Sequence, residues 1–229
     1  MTDAARPITP RRLARMRGAL ERRQPDLTIV IEDVHDPHNV SAMLRSCDAV
    51  GVAGAHLVYA IEERPELSKG VSASAQRWLD LQSHESVSAC YAALREQGFA
   101  IYATSLTHDA TDLYDLDLTS PVAILFGNET RGASADAVAL ADGCVYIPMM
   151  GMVESLNVSV ACAVTLYEAL RQRRSTGRYG SPALPPDEVD ARLRSWLLRD
   201  GRDPEAVTQE IDSGPVRARN RSAHRGAAS

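Results

Sequence analysis

Three short segments gather the side chains that could do chemistry. In IEDVHDPHNVSAMLRSCDAVG (31–51) an apolar run ends in a polar turn, and Asn39 and Arg45 follow on a helical pattern. Asp36 and Pro37 read as a cap and a first-turn proline, which places Asn39 in the first helical turn. Arg45 shares a polar face with Ser41, opposite Met43, Leu44 and Cys47. An exposed pair between Arg45 and Asp48 explains the same residues without function. In VAILFGNETRGAS (122–134) an apolar strand ends in Gly127, Asn128 and Glu129 and reaches Gly132. Glycines there let the backbone come close to a ligand, and polar groups at a strand's carboxyl end tend to touch one. In YIPMMGMVESLNVSVACAVTLYEAL (146–170), Ser155 and Asn157 stand where a helix begins and unpaired backbone N–H groups attract polar ligands. The methionines around Gly151 read as core packing, the commoner use of such a stretch.

The elements needed to position these segments can be read from periodicity. LTIVIEDV (27–34), HLVYA (56–60), FAIYATSL (99–106), VAILFGN (122–128) and CVYIP (144–148) read as strands. Helices are predicted at about 9–23, 37–51, 86–97, 134–141, 155–173 and 187–199. Strands alternating with helices predict an α/β domain, a mostly parallel sheet covered on both faces. Such sheets bind ligands beyond the carboxyl ends of their strands, where all three segments fall.

With 229 residues, 45% of them hydrophobic, the chain can bury one good core. No stretch is apolar enough to span a membrane, and the N-terminus lacks the apolar core of a signal peptide, so a cytoplasmic protein is expected. Cys47, Cys90, Cys144 and Cys162 are scattered and form no C-x-x-C pair; they read as buried thiols in a reducing compartment, with no metal expected. The net charge of −5 conceals basic ends: residues 1–23 hold seven arginines against two acidic residues, and 171–229 hold twelve against eight. This pattern fits an acidic body whose flanks meet a polyanion, or simply solvated termini. Pro and Gly between 177 and 186 mark a linker. The reading therefore divides the chain into a basic helical extension (1–24), a catalytic domain (25–175), and a C-terminal helix with a basic, disordered tail (176–229).

No G-x-G-x-x-G, G-x-x-x-x-G-K-[ST] or G-x-S-x-G occurs, which weighs against a nucleotide-binding oxidoreductase, a P-loop enzyme and an α/β-hydrolase. Taken in order, the three segments instead resemble the motifs of the SpoU/TrmH branch of the SPOUT RNA methyltransferases. Asn39 and Arg45 match Asn-x5-Arg; Gly127, Asn128, Glu129 and Gly132 match Gly-Asn-Glu-x-x-Gly. Ile147, Pro148, Met149 and Ser155 to Ser159 match Ile-Pro-Met…Ser-Leu-Asn-Val-Ser. The likeness covers about residues 9–175. Within the branch it is strongest to the TrmH enzymes, which methylate the 2′-oxygen of guanosine 18 in the tRNA D-loop.

The resemblance implies a C-terminal trefoil knot, a homodimer, tRNA as substrate and S-adenosyl-L-methionine as cofactor. It implies cofactor contacts from Thr104, Gly127, Ile147, Met149 and Leu156, and a catalytic set of Arg45, Asn39, Glu129, Ser155 and Asn157. Because a guanidinium holds its proton tightly, Arg45 is read as an electrostatic stabiliser rather than a base. Arg11, Arg12, Arg15, Arg22 and Arg23 are the expected RNA contacts, and the helix 155–173 offers Val160, Ala161, Val164 and Leu166 to a second copy. Ribosomal RNA or another tRNA position would use the same chemistry, and an RNA-binding pseudo-enzyme is the alternative outside catalysis.

Overall fold

A computed structural model describes residues 8–63, 65 and 73–205. The expected basic tail, with Arg217, Arg219, Arg221 and Arg225, lies outside the described residues.

Seven strands form a single sheet: β1 (Leu27–Glu32), β2 (Gly54–Val58), β3 (Asp80–His84), β4 (Ala100–Thr104), β5 (Thr111–Asp112), β6 (Val122–Phe126) and β7 (Gly143–Tyr146). Their order is β3-β2-β1-β6-β4-β7-β5, and every pairing is parallel. The two central strands are buried at every residue, which is why they read as continuous apolar runs. Alternation still divides the core. Leu27, Ile29 and Ile31 of β1 and Val122, Ile124 and Phe126 of β6 pack under two helices, α2 (Pro37–Val50) and α6 (Val158–Ser175). Val30, Ala123 and Leu125 face α4 (Val87–Glu96) and α5 (Ala135–Leu140) on the other side.

Local chemistry sets the helix bounds. Asp36 caps α2 by accepting from the His38 N–H (2.8 Å). Gly51 ends α2 at φ +88, where an added Cβ would meet the Arg22 carbonyl oxygen at 2.7 Å, so a side chain is excluded both by conformation and by space. Among the described residues no helix is long and apolar enough to cross a membrane.

Two strands and a helix escaped the periodicity. β3 (DLQSH) is a polar edge strand, β5 has two residues, and α3 (Ala73–Gln76) four. None buries enough apolar surface to mark itself by pattern.

The two ends of the chain, expected as separate extensions, pack on one another. Met16 and Leu20 of α1 (Pro10–Leu20) meet Val189, Leu193, Trp196 and Leu197 of α7 (Pro186–Arg199), with Ile8 and Leu184 completing a small core of their own. Trp78, just before β3, meets Trp196 edge to face. Arg23 is only 2% exposed, and it donates to the Val52 oxygen (2.7 Å), the Trp78 oxygen (2.9 Å) and Asp48 (2.6 Å) beneath the Trp196 ring. This corrects the expectation that Arg23 meets RNA, because a buried guanidinium with these partners is part of the frame. Leu166 is likewise corrected: it is fully buried against the sheet and faces no partner.

Candidate functional site at the carboxyl edge of the sheet

After Phe126 the chain closes a tight loop in which the backbones of Asn128 and Gly132 exchange hydrogen bonds (3.0 and 2.8 Å). A Cβ at Gly127 would lie 2.3 Å from the Gly132 oxygen and the Ala133 nitrogen, so only glycine permits this closure. The buried Asn128 side chain holds the loop to the first motif. Its amide donates to the Asp33 oxygen (2.8 Å), while its oxygen accepts from the N–H groups of Thr130 and Arg131 (2.9 and 3.1 Å).

Glu129 is thereby directed at the start of α2. Its carboxylate accepts from the backbone N–H groups of His35 and Asp36 (both 3.1 Å) and from the Asn39 side-chain amide (2.9 Å). Asn39 in turn accepts from the Asn157 amide (3.1 Å). Asn157 caps α6, accepting from the N–H (2.9 Å) and the hydroxyl (2.6 Å) of Ser159. One relay of hydrogen bonds, Glu129 to Asn39 to Asn157, thus joins the three segments. Partial burial pushes the Glu129 carboxyl up. The Asn39 amide and the backbone donors outweigh that push and hold it below the ordinary glutamate range.

A cavity of about 650 Å³ opens beside this relay, within the range of small-molecule sites. Its walls come from the ends of β4, β6 and β7 and from the segment leading into α6. Thr104, Gly127, Ile147, Met149 and Leu156 all line it, as do Glu129, Ser155 and Asn157. Asn39 and Arg45 stand outside the lining. Arg45 lies on the exposed face of α2, six residues from Asn39, or about 9 Å along the axis. Leu106, Ile147, Met149 and Leu156 offer apolar surface of the kind that a nucleoside and a thioether chain would cover, while the closed glycine loop brings bare backbone to the same wall.

Several supporting residues gave no signal by spacing. Asp33 adopts a left-handed conformation (φ 49) and its carboxylate accepts from three successive N–H groups, those of Ala60, Ile61 and Glu62 (3.0–3.2 Å). Such a conformation is strained for a residue other than glycine and is held here by those bonds. The buried Glu32 accepts from the Ser134 N–H (3.0 Å) at the start of α5. The adjacent acids at the end of an otherwise apolar strand were the available clue. On the rim, Arg131 pairs with Glu62 (2.9 Å).

The methionine segment departs from expectation in the opposite way. Met150 and Met152 are 94% and 99% exposed, and Val153, Val160 and Tyr167 stand out into solvent beyond them. Packing within one chain does not use them.

The same motifs place the chain among known proteins. A sequence profile described as the SpoU rRNA Methylase family matches residues 26–167. The tRNA (guanosine(18)-2′-O)-methyltransferase of Thermus thermophilus is 48% identical over 191 residues, covering 83% of this chain and 98% of the relative. The crystal structure of the A. aeolicus TrmH/SpoU tRNA modifying enzyme superposes with a TM-score of 0.78 at 36% identity, covering 83% of this chain and 96% of that one. AviRb of Streptomyces viridochromogenes, a SpoU methyltransferase crystallised with AdoMet, matches with a TM-score of 0.60 at 29% identity, covering 66% and 62%. The parallel sheet, the three joined motifs and these matches establish that the chain belongs to the SpoU methylase family.

Proposed function

We propose that the chain transfers a methyl group from S-adenosylmethionine to the 2′-hydroxyl of guanosine 18 in tRNA. The observation that carries this reading is the relay from Glu129 through Asn39 to Asn157, drawn along the mouth of a nucleoside-sized cavity. Its support from relatives is the tRNA enzyme 48% identical over nearly its whole length. S-adenosylmethionine supplies, when bound, a methyl group already activated by the sulfonium charge.

The protein's task is then to hold the ribose oxygen in line and to manage the charge that develops on it. Thr104, Gly127, Ile147, Met149 and Leu156 form the cofactor wall. Glu129, held ionised, accepts only. It fixes the polar turn before α2 and orients the Asn39 amide, so that the start of α2 and the start of α6 keep one spacing. Ser155 and Asn157 present polar groups at the cavity edge, where the substrate ribose enters. Arg45 stabilises the developing alkoxide and anchors a neighbouring phosphate, roles suited to a permanently charged planar fork.

The same reading includes an isologous homodimer. Its support is the set of exposed apolar side chains near the site, Met150, Met152, Val153, Val160 and Tyr167, whose cover by a second copy would bring that copy close to the cavity. The family's trefoil knot belongs to this reading too. RNA would be held by the exposed arginines of α1 and of the turn after it, among which Arg12 pairs with Asp200. Arg11 and Arg15 have no ion-pair partner among the described residues, and Arg22 donates to the Gly18 oxygen yet remains exposed.

The test is incubation of the protein with methyl-labelled S-adenosylmethionine and unmodified transcripts of tRNA and ribosomal RNA, followed by mapping of the labelled nucleotide. Label at guanosine 18, absent from a transcript lacking that guanosine, is the expected result. Label confined to ribosomal RNA or to another tRNA position would replace the substrate, and no label in any RNA would overturn the reaction.

A further inference from the structure

On the α4 side of the sheet, away from the cavity, β2, β3 and α4 bring together two histidines and a cysteine. In the β2–β3 register His56 opposes Gln82 and Val58 opposes His84, so His56 and His84 project from the same face of the sheet. Cys90 reaches them from the first turns of α4 and is fully buried. His56 is 5% exposed, while His84, at the end of the edge strand, is half-buried. The Nδ1 atom of His56 and the Nε2 atom of His84 are 2.9 Å apart, and the two rings stack with centroids 5.2 Å apart. One nitrogen of each ring and the Cys90 sulfur all lie within 4.8 Å of one another. Among the described residues, this is the group of His, Cys, Asp and Glu side chains that converges in this way.

We propose that His56, His84 and Cys90 form a binding site for zinc(II), separate from the methyl-transfer site and independent of that reading. Two imidazole nitrogens and one thiolate are a donor set that favours zinc among the common divalent ions; calcium and magnesium take oxygen ligands instead. The geometry is close to what zinc needs. Bonds of about 2.0–2.1 Å to nitrogen and about 2.3 Å to sulfur, at tetrahedral angles, set donors roughly 3.3–3.6 Å apart. The two nitrogens must open by a few tenths of an ångström and the sulfur must close by at most about one, within reach of small side-chain rotations.

His56 and Cys90 form the buried back of the site. The half-buried His84 leaves the entry path and room for a water as fourth ligand. Both imidazoles ligate in the neutral form, and the proton now shared between Nδ1 and Nε2 moves to the far nitrogen of the ring that carries it. The Cys90 thiol loses its proton to solvent, so one proton leaves per zinc bound. The gain is structural: β3 carries little apolar surface of its own, and the ion would fasten this edge to β2 and α4.

The experiment uses the full chain, stripped with chelator and dialysed, then titrated with zinc chloride and separately with cobalt chloride. Expected are one zinc per chain, one proton released per zinc in buffers of different ionisation heat, and a cobalt spectrum with tetrahedral bands and a thiolate charge-transfer band. Cys90→Ala should lose the charge-transfer band. Its zinc affinity, and that of His84→Gln, should fall by more than about 100-fold, because even the loss of outer partners of metal ligands costs about 10–100-fold. His108→Gln, at an exposed histidine outside the cluster, should bind as the wild type does. No stoichiometric zinc on the wild-type chain, or binding that survives undiminished in Cys90→Ala and His84→Gln, would overturn the site.

Discussion

The two edges of the sheet solve opposite problems with overlapping residue types. At the amino edge, arginines are buried and surrounded. Arg173, 0% exposed, donates to Asp26 (2.5 Å), to Gln24 (3.2 Å) and to the oxygens of Leu118, Asp26 and Ser120, and Arg23 is enclosed nearby. At the carboxyl edge one carboxylate and two amides do the connecting, and the arginine of the motif stands exposed on α2. The helices α2 and α6 run between these edges. Each begins in the Glu129–Asn39–Asn157 relay and ends at a buried guanidinium, α2 through Asp48 with Arg23 and α6 through Arg173 itself. An arginine enclosed by buried acceptors builds the frame, whereas one exposed to solvent can also answer to a ligand.

Breaking the frame should have the largest effect. Arg173→Met leaves the Gln24 side-chain oxygen and the backbone oxygens of Leu118 and Ser120 without their donor and Asp26 with only Arg178 and the Val122 N–H, so the chain should lose about 3–5 kcal/mol of stability, read as a shift in the denaturation midpoint. A loss below about 1 kcal/mol would mean that the clamp is replaceable.

Arg45→Ala should do the reverse, with an unchanged midpoint and cofactor affinity but methyl transfer slower by about 10²–10³-fold or more, the scale for removing one oxyanion donor. Near-normal single-turnover rates would remove Arg45 from the chemistry.

Glu129→Gln lies between the two. It replaces a charged acceptor of three donors with a neutral one, and should cost about 10–100-fold in transfer rate, from the roughly 1.5–3 kcal/mol of hydrogen bonds to a charged group. Its pH dependence has a definite sign. The carboxyl is held below its ordinary value of 4.5 when folded, so its stabilisation is complete above that value and is lost as pH falls through the depressed one. The stability gap between wild type and Glu129→Gln should therefore close on acidification, as followed by denaturation at stepped pH values.

The smallest expected effect is on α1. Arg11→Ala or Arg15→Ala should weaken tRNA binding and lower the log–log salt slope by about 0.7–0.9 per lost contact, with the transfer rate at saturating tRNA unchanged. Arg17→Ala only removes a surface pair with Asp190, worth about 0–1 kcal/mol, and should leave the slope alone if the two classes of arginine are distinct. Point substitutions are required, because removing residues 1–23 would also strip Met16 and Leu20 from the core they share with α7 and take away Arg23.

Much of this was legible in the sequence. The central strands and capped helices followed from apolar runs and from Asp-Pro and Gly signals, and residues of the second and third motifs line one cavity, with the first joined to them through Asn39. The rest depended on contacts between distant segments, which periodicity does not report. Arg23 looked like its exposed neighbours because its burial depends on Asp48, Trp78 and Trp196, all far along the chain. Met150 and Met152 looked like core because composition ignores where a loop stands. Asp33 and Glu32 hold the site through backbone N–H groups of distant segments, so two adjacent acids ending an apolar strand mark a polar anchor but not what it anchors.

The all-parallel strand order bears on how this chain leaves the ribosome. β1 gains its second neighbour only when β6 (Val122–Phe126) has been made, and α1 finds α7 only near residue 199. At about 5–20 residues per second, the open edge of β1 waits on the order of 5–20 s after synthesis. During that interval LTIVIE is an apolar strand with one edge open to other nascent chains. Yield in cells should therefore respond to translation speed and chaperone supply more than the stability of the finished fold would suggest.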